Sequence, residues 1–240
     1  MRVAVLSDIH GNLTALEAVL ADLAREGVDQ IVCLGDLAAK GPAPHEVVEQ
    51  VKALGCITVR GNTDVSLLEP GLEAEVQGLH GPMRQIGEIF LWAREQLSPA
   101  DRDYLAALPT TAVLQLDHGR SLLCFHGSPR SARDTILATT PDTELEPMFR
   151  GWTQEYLAGG HTHRQLFRRF NEAILLNPGS VGLPSTSSGE PRPLAEYAIL
   201  SCEPRRASVE LRQVPFDLER VLSLARERKL PHAGWWESNW

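Results

Sequence analysis

Short apolar runs alternate along this chain with stretches whose apolar residues recur at helical spacing. Val3-Ala4-Val5-Leu6 reads as a buried strand, and Leu13, Leu16, Val19, Leu20 and Leu23 mark one face of the helix that follows. A second strand, Gln30 to Leu34, stops at Gly35-Asp36, and Val47, Val48, Val51 and Leu54 form the apolar face of the next helix. A third strand, Cys56 to Arg60, stops at Gly61-Asn62. The order β-α-β-α-β with short connections predicts parallel strands and right-handed crossovers.

From Asp64 to about Pro109 the pattern turns helical, with Ser98-Pro99-Ala100-Asp101 as a helix start. We read residues 64–110 as a helical insertion packed against the mouth of the sheet, within one domain spanning 1–240. Strands return at Thr111–Leu116 and Ser121–Phe125, joined by a hairpin turn at Asp117-His118-Gly119-Arg120. Residues 128–152 are irregular apart from a short helix near Glu144–Phe149. Further strands follow at Tyr156–Ala158, Gln165–Phe170, Ala173–Asn177, Glu196–Ser201 and Ser208–Val214, then a helix from Asp217 to about Arg228. The aromatic tail Gly234–Trp240 reads either as a docking segment or as a packed terminus. The fold class is α/β.

Composition excludes some functions. A net charge of −8 argues against a broad surface for extended nucleic acid. No apolar run approaches the roughly 18 residues of a membrane-spanning helix, and no secretory leader is evident, so a cytoplasmic enzyme is expected. The four cysteines form no C-x-x-C pair and read as buried free thiols.

The chemistry lies at the strand ends, where open α/β sheets bind ligands. Asp8 and His10 stand two apart and, on an extended chain, point the same way. Asp36, Asn62, His126 and the pair His161 and His163 each follow another strand-like run. Four of the eight histidines belong to this set. Glycines precede Asp36, Asn62 and His161, which permits sharp turns and close backbone approach. Each motif alone is weak, since Gly-Asp and Gly-Asn occur in many turns. The ordered set is far more specific. There is no G-x-S-x-G elbow and no G-x-x-x-x-G-K-[ST] loop to suggest another chemistry.

Taken in order, D-x-H, G-D, G-N-T-D, H and G-H-x-H between residues 5 and 163 resemble the calcineurin-like metallophosphoesterase superfamily. The Gly-Pro loop after Asp36 and the segment Asn177-Pro178-Gly179-Ser180-Val181-Gly182 resemble its bacterial branch, which holds YfcE-like phosphodiesterases and asymmetrical diadenosine tetraphosphate hydrolases. The resemblance implies a four-layer α-β-β-α sandwich. It also implies a two-metal centre in which Asp8, His10, Asp36 and His163 hold one ion and Asp36, Asn62, His126 and His161 the other. Asp36 then bridges, and Asp36, Asn62 and His126 form the catalytic set. Mixed imidazole and carboxylate donors suit Mn2+, with Fe, Zn2+ or Ni as alternatives, better than Mg2+. Two ions roughly 3.5–4 Å apart would activate a bridging hydroxide for in-line attack on a phosphoester.

The departure from the family pattern is Thr63, where many relatives carry a histidine that protonates the leaving oxygen. A threonine hydroxyl is too weak an acid for that step. Good leaving groups, a metal-bound water or another histidine such as His80 would then compensate. Asp64 reads as a helix cap or as a group that orients a ligand. Asn12 reads as a phosphate contact or as a cap of the first helix. Arg130, Arg133, Arg164 and Lys40 are candidate substrate contacts, and Ser180 either borders the site or belongs to a structural turn. The expected activity is hydrolysis of small phosphodiesters, such as cyclic nucleotides or dinucleoside polyphosphates. A phosphomonoesterase or protein phosphatase, a nuclease and a non-catalytic metal-binding module are the competing readings.

Overall fold

The computed structural model describes residues 1–185, 193–204 and 206–238. Asn239 and Trp240 of the aromatic tail lie outside these residues.

The predicted β-α-β-α-β unit forms one half of the molecule. Strand β1 (Arg2–Leu6) leads into α1 (Leu13–Glu26), β2 (Gln30–Cys33), α2 (Pro44–Leu54) and β3 (Ile57–Thr58). The three strands pair in parallel, β1 with β2 and β2 with β3. Val3 to Leu6 are fully buried because both faces of β1 are covered. The Asn12 side chain caps α1 by accepting from the Ala15 N–H at 3.0 Å, and Gly27 closes it in the left-handed conformation.

Four helices follow: α3 (Asn62–Leu68), α4 (Leu72–Gly78), α5 (Gly81–Gln96) and α6 (Pro99–Ala107). Ser98 and Asp101 form a reciprocal capping box at the start of α6. Ile89, Ala93, Leu97 and Leu105 share one apolar cluster with α1 and α2. These helices therefore extend the outer helical layer, and α3 meets the strand-end loops through Asn62 in its first turn and through Ser66, which accepts from Arg133. The difference from a cap over the mouth follows from where their apolar faces find partners.

The second half begins with the antiparallel pair β4 (Thr111–Gln115) and β5 (Ser121–Phe125) and adds β6 (Tyr156–Ala158), β7 (Leu166–Phe170) and β8 (Ala173–Asn177). Its order is β4-β5-β6-β8-β7. Two long strands, β9 (Leu194–Cys202) and β10 (Ala207–Pro215), return to the first sheet, giving the order β10-β9-β1-β2-β3. The two five-stranded sheets face each other across Val3, Val5, Val32, Leu122, Cys124, Ala158, Leu176 and Leu200. The outer face of the second sheet packs Phe125, Leu157 and Phe170 against Ile136, Leu145 and Phe149. The α-β-β-α order thus holds, but the described part of the last layer is largely irregular chain carrying the four-residue helix α7 (Asp142–Leu145).

The chain closes with α8 (Leu218–Glu227) and α9 (Ala233–Glu237), and Trp236 is buried in the helical cluster. Cys33, Cys124 and Cys202 are buried free thiols, and Cys56 is partly buried. Among the described residues no helix is long and apolar enough to cross a membrane.

Candidate metal centre

The loops after β1, β2, β3, β5 and β6 meet at one end of the sandwich. The His10 N–H donates to the Asp36 carbonyl at 2.9 Å, and the Asp8 N–H donates to the Gly35 carbonyl at 3.0 Å. The Gly160 N–H donates to the His126 carbonyl at 2.7 Å, and the His161 N–H donates to the Asp8 carboxylate at 3.0 Å. Close approach of these backbones depends on glycines, Gly61 and Gly160 among them. A Cβ on Gly61 would lie 2.1 Å from Asp36 Oδ1, and one on Gly160 would lie 1.9 Å from Ser7 Oγ.

Five of the predicted ligand residues, Asp8, His10, Asp36, His161 and His163, adopt positive φ angles between 50° and 69°. Such a backbone is costly for non-glycine residues and persists only where the surroundings enforce it. Here it turns each side chain inward at a strand end, replacing the extended geometry that the two-residue spacing suggested.

The side chains converge. His163 Nε2 lies 3.2 Å from Asp8 Oδ1, and His10 Nε2 lies 3.7 Å from both Asp8 Oδ1 and Asp36 Oδ2. His126 Nε2 lies 3.5 Å from Asp36 Oδ2 and 3.0 Å from Asn62 Oδ1. Two donor groups result, Asp8/His10/His163 and Asp8/Asp36/His126. The His161 ring packs edge-on to His126, with centroids 5.3 Å apart.

Three observations show that these residues fit metal ions. Asp8 Oδ1 is buried without a hydrogen-bond donor although three imidazole Nε2 atoms surround it. The Nε2 atoms of His10 and His163 lie 3.0 Å apart, close enough to share a proton or, with the rings turned slightly apart, a cation. Finally, His126 Nδ1 donates to the Leu34 carbonyl at 2.7 Å and His163 Nδ1 to the Leu183 carbonyl at 2.6 Å, leaving Nε2 of each ring toward the cluster. Backbone anchoring of the second ring nitrogen is the usual support of a metal-bound histidine.

Electrostatics point the same way. Burial works against the Asp8 charge, but His163 and His126 outweigh it and hold the carboxyl well below its ordinary range. Asp36 is likewise held low, with His126 overcoming burial. Burial disfavours a proton on His126, yet Asp36 and Asp8 outweigh it and push the pKa up to about 10. His10 is lowered, by burial and then by the Lys40 charge. The paired carboxylates therefore draw positive charge to His126 Nε2, where a metal ion would compete with the proton.

Three residues support the ligands, and of these Ser7 carries no motif. Ser7 Oγ donates to Asp8 Oδ2 at 2.6 Å, and only its place at a strand end beside an aspartate marked it. The Asp64 carboxylate accepts from the N–H groups of Asp36, Leu37 and Gly61, so it caps α3 and also holds the Asp36 loop. Burial, followed by repulsion from Asp36, pushes its pKa up to about 6. Ser180 Oγ donates to the Asp8 carbonyl and accepts from the Leu183 N–H, which makes it a positioning residue.

The substrate contacts fare differently. Asn12 is 1% exposed, and its side chain is committed to the α1 cap and to the Gly182 carbonyl, so it offers no accessible donor to a phosphate. Arg130 is paired with Asp134 through both Nε and Nη2, and Arg133 donates to Ser66. Arg164 is exposed directly after His163. Thr63 is 3% exposed with no partner for its hydroxyl, while its N–H donates to Asp36 Oδ1 at 2.8 Å. His80 is an exposed residue ahead of α5 and takes part in none of the cluster's hydrogen bonds described above.

Residues 1–205 match the calcineurin-like phosphoesterase superfamily domain. An uncharacterized protein of Methanocaldococcus jannaschii is 26% identical, over 95% of this chain and 93% of its own length. The phosphodiesterase YfcE of Escherichia coli is 27% identical, over 83% of this chain and 87% of its own. The crystal structure of a metallophosphoesterase from Sphaerobacter thermophilus superposes with a TM-score of 0.76 at 29% identity, covering 99% of this chain and 98% of that one. The chain belongs to the calcineurin-like phosphoesterase superfamily, whose members are metal-dependent hydrolases of phosphoric esters.

Proposed function

We propose that the protein is a two-metal phosphodiesterase acting on small phosphodiesters such as cyclic nucleotides or dinucleoside polyphosphates. The observation that carries this reading is the position of Asp36 Oδ2, 3.7 Å from His10 Nε2 and 3.5 Å from His126 Nε2. One carboxylate oxygen lying between two imidazole groups is the arrangement a bridging ligand requires. Asp8, His10, Asp36 and His163 would hold one ion and Asp36, Asn62, His126 and His161 the other, with Mn2+ as the favoured metal.

When bound, the pair of divalent ions supplies a water of lowered pKa and neutralises charge on the phosphoryl group. The protein's own residues contribute positioning. Backbone carbonyls of Leu34 and Leu183 fix the rings of His126 and His163, and Asp64 fixes the loop that carries Asp36. Their work is done before substrate arrives, which is how a preorganised site lowers a barrier. Buried Thr63 supplies no proton to the leaving oxygen, which supports substrates whose leaving groups depart without much help. Arg164 is the remaining arginine free to meet substrate in this reading, whereas Arg130 would first have to leave Asp134. The chain is read as one metallophosphoesterase unit over 1–240, with 64–110 as its helical insertion. The name of the similar YfcE protein, a phosphodiesterase, supports diesters over monoesters.

The test is a screen of metal-stripped protein reloaded with Mn2+ against diesters, monoesters, cyclic nucleotides and dinucleoside polyphosphates. Metal-dependent turnover of diesters ahead of monoesters is expected. Monoesters hydrolysed faster than every diester would replace this reading with that of a phosphomonoesterase, and absence of any turnover with metal bound would leave a binding module.

A further inference from the structure

A second set of metal-competent side chains lies outside the strand-end cluster, where α2 meets α6. His45 and Glu49 stand four residues apart on α2 and so share one face of that helix. Asp101, in the first turn of α6, reaches the same point. One donor atom from each of the three lies within 4.8 Å of the other two. His45 Nδ1 is 2.7 Å from Asp101 Oδ2.

Asp101 divides its carboxylate between two tasks. Oδ2 accepts from the Ser98 N–H at 2.9 Å and from the Ser98 hydroxyl at 2.7 Å, which completes the capping box of α6. Oδ1 is buried without a hydrogen-bond partner among the described residues, on a side chain that is 0% exposed. A buried carboxylate oxygen with no donor is costly, and helix capping gives no reason for it. The cation beside it is Lys52, whose Nζ lies 2.5 Å from Glu49 Oε1 but 3.8 Å from Asp101 Oδ1. The ammonium thus satisfies Glu49 and stands beyond hydrogen-bond range of Oδ1.

We infer that His45, Glu49 and Asp101 form a zinc site separate from the strand-end centre, with Asp101 Oδ1 as its buried ligand and a water completing the four-coordinate shell. Nitrogen and oxygen ligands bind Zn2+ at about 2.0–2.2 Å, which sets donor atoms about 3.3–3.6 Å apart. His45 and Glu49, with side chains 46% and 49% exposed, have room to turn to that spacing, while Asp101 is held by its cap. Lys52 has a place to withdraw to, since its Nζ already lies 5.9 Å from the centroid of the Tyr104 ring. An imidazole among the donors favours Zn2+ over Ca2+ or Mg2+, and Mn2+ stands at the weak end of the affinity order, so Mn2+ is not retained here. Bound zinc would clamp α6 to α2. The residue ahead of α2, Ala43, donates its N–H to the Gly11 carbonyl, so the clamp adjoins the loop that carries His10.

The experiment titrates Mn2+-loaded protein, freed of loosely bound ions, with Zn2+. Wild type, His45→Gln, Glu49→Gln and Lys52→Met are compared by calorimetry and elemental analysis. Zinc that exchanges into the strand-end centre is common to all four, so the differences between them report the α2–α6 site. Wild type should hold one more zinc per chain than His45→Gln or Glu49→Gln. Lys52→Met should bind that ion about tenfold more tightly, because a competing positive charge is gone. If His45→Gln fails to fold, Glu49→Gln decides alone, as its side chain is half exposed. Equal zinc content in wild type and Glu49→Gln would overturn the assignment. So would zinc binding in Lys52→Met no tighter than in wild type, which would leave these residues as an ion-pair network.

Discussion

Removing the Asp64 carboxylate should destabilise the protein through three specific hydrogen bonds. Asp64 Oδ2 accepts from the N–H groups of Asp36 at 2.8 Å and Gly61 at 2.9 Å, and Oδ1 accepts from the Leu37 N–H at 2.8 Å. All three lie in buried surroundings, and Asp64 is fully buried. In Asp64→Ala three donors lose their acceptor at about 1–3 kcal/mol each, reduced where water can enter, so a total loss of roughly 3–6 kcal/mol is expected. Asp64→Asn can keep two of the bonds with its oxygen in the Oδ2 position but turns an NH2 toward the Leu37 N–H, for a loss of about 1–3 kcal/mol. Urea unfolding at pH 8 measures both, since the carboxyl with its pKa of about 6 is ionised there. A chelator is needed because metal binding would add its own stabilisation to the folded state. A loss below about 1 kcal/mol in Asp64→Ala, or a greater loss in Asp64→Asn than in Asp64→Ala, would refute the claim that this carboxylate holds the two strand ends together.

Further outcomes follow from other residues. Thr63→His should raise turnover of esters with poor leaving groups relative to aryl esters, at a folding cost of about 1–3 kcal/mol because Thr63 is buried; an unchanged ratio between the two substrates contradicts the assigned shortage of a proton donor. His45 Nδ1 lies 2.7 Å from the buried Asp101 carboxylate and ties α2 to α6. A hydrogen bond to Asp101, outweighing burial, raises the His45 pKa above 6.5. The folded state then binds the proton more tightly than the unfolded one, so the stabilisation is complete below 6.5 and fades as pH rises through the higher folded value. The gap in Tm between wild type and His45→Gln should therefore shrink from pH 6 to pH 9, and a gap that grows over that range would contradict the pairing. His45 is partly exposed, so the effect is modest.

Much of this arrangement can be read in the sequence because strand ends carry a compact signature. An apolar run followed by Asp, His or Asn marks both the buried strand and the loop that presents the side chain, and the five loops do meet. The hairpin at residues 117–120, the capping box at Ser98 and the parallel order of β1, β2 and β3 follow from local rules of the same kind. What escapes is decided by distant partners. A two-residue spacing puts Asp8 and His10 on one face only of an extended chain, whereas hydrogen bonds to Gly35 and Asp36 accompany a left-handed backbone at both. Asp64 reads in the sequence as a helix cap or a group that orients a ligand, and it does both: its bonds to Asp36 and Leu37 become visible only when β2 and β3 stand side by side. Arg130 has an i,i+4 acid in Asp134, but an irregular loop gives no reason to pair them in advance. Asn12 offered two readings, and burial against Gly182, far along the chain, decides for the structural one. The helical stretch after Asn62 was legible as helix, while the surface it covers depended on the apolar faces of α1 and α2.

The central claim is that two metal ions share Asp36. The most direct test is metal content after reconstitution with Mn2+ and removal of loosely bound ions, measured for wild type and Asp36→Ala together with diester turnover. Two ions per chain are expected in wild type, and at most one in Asp36→Ala with turnover abolished. Asp36→Ala retaining both ions and its activity would contradict it.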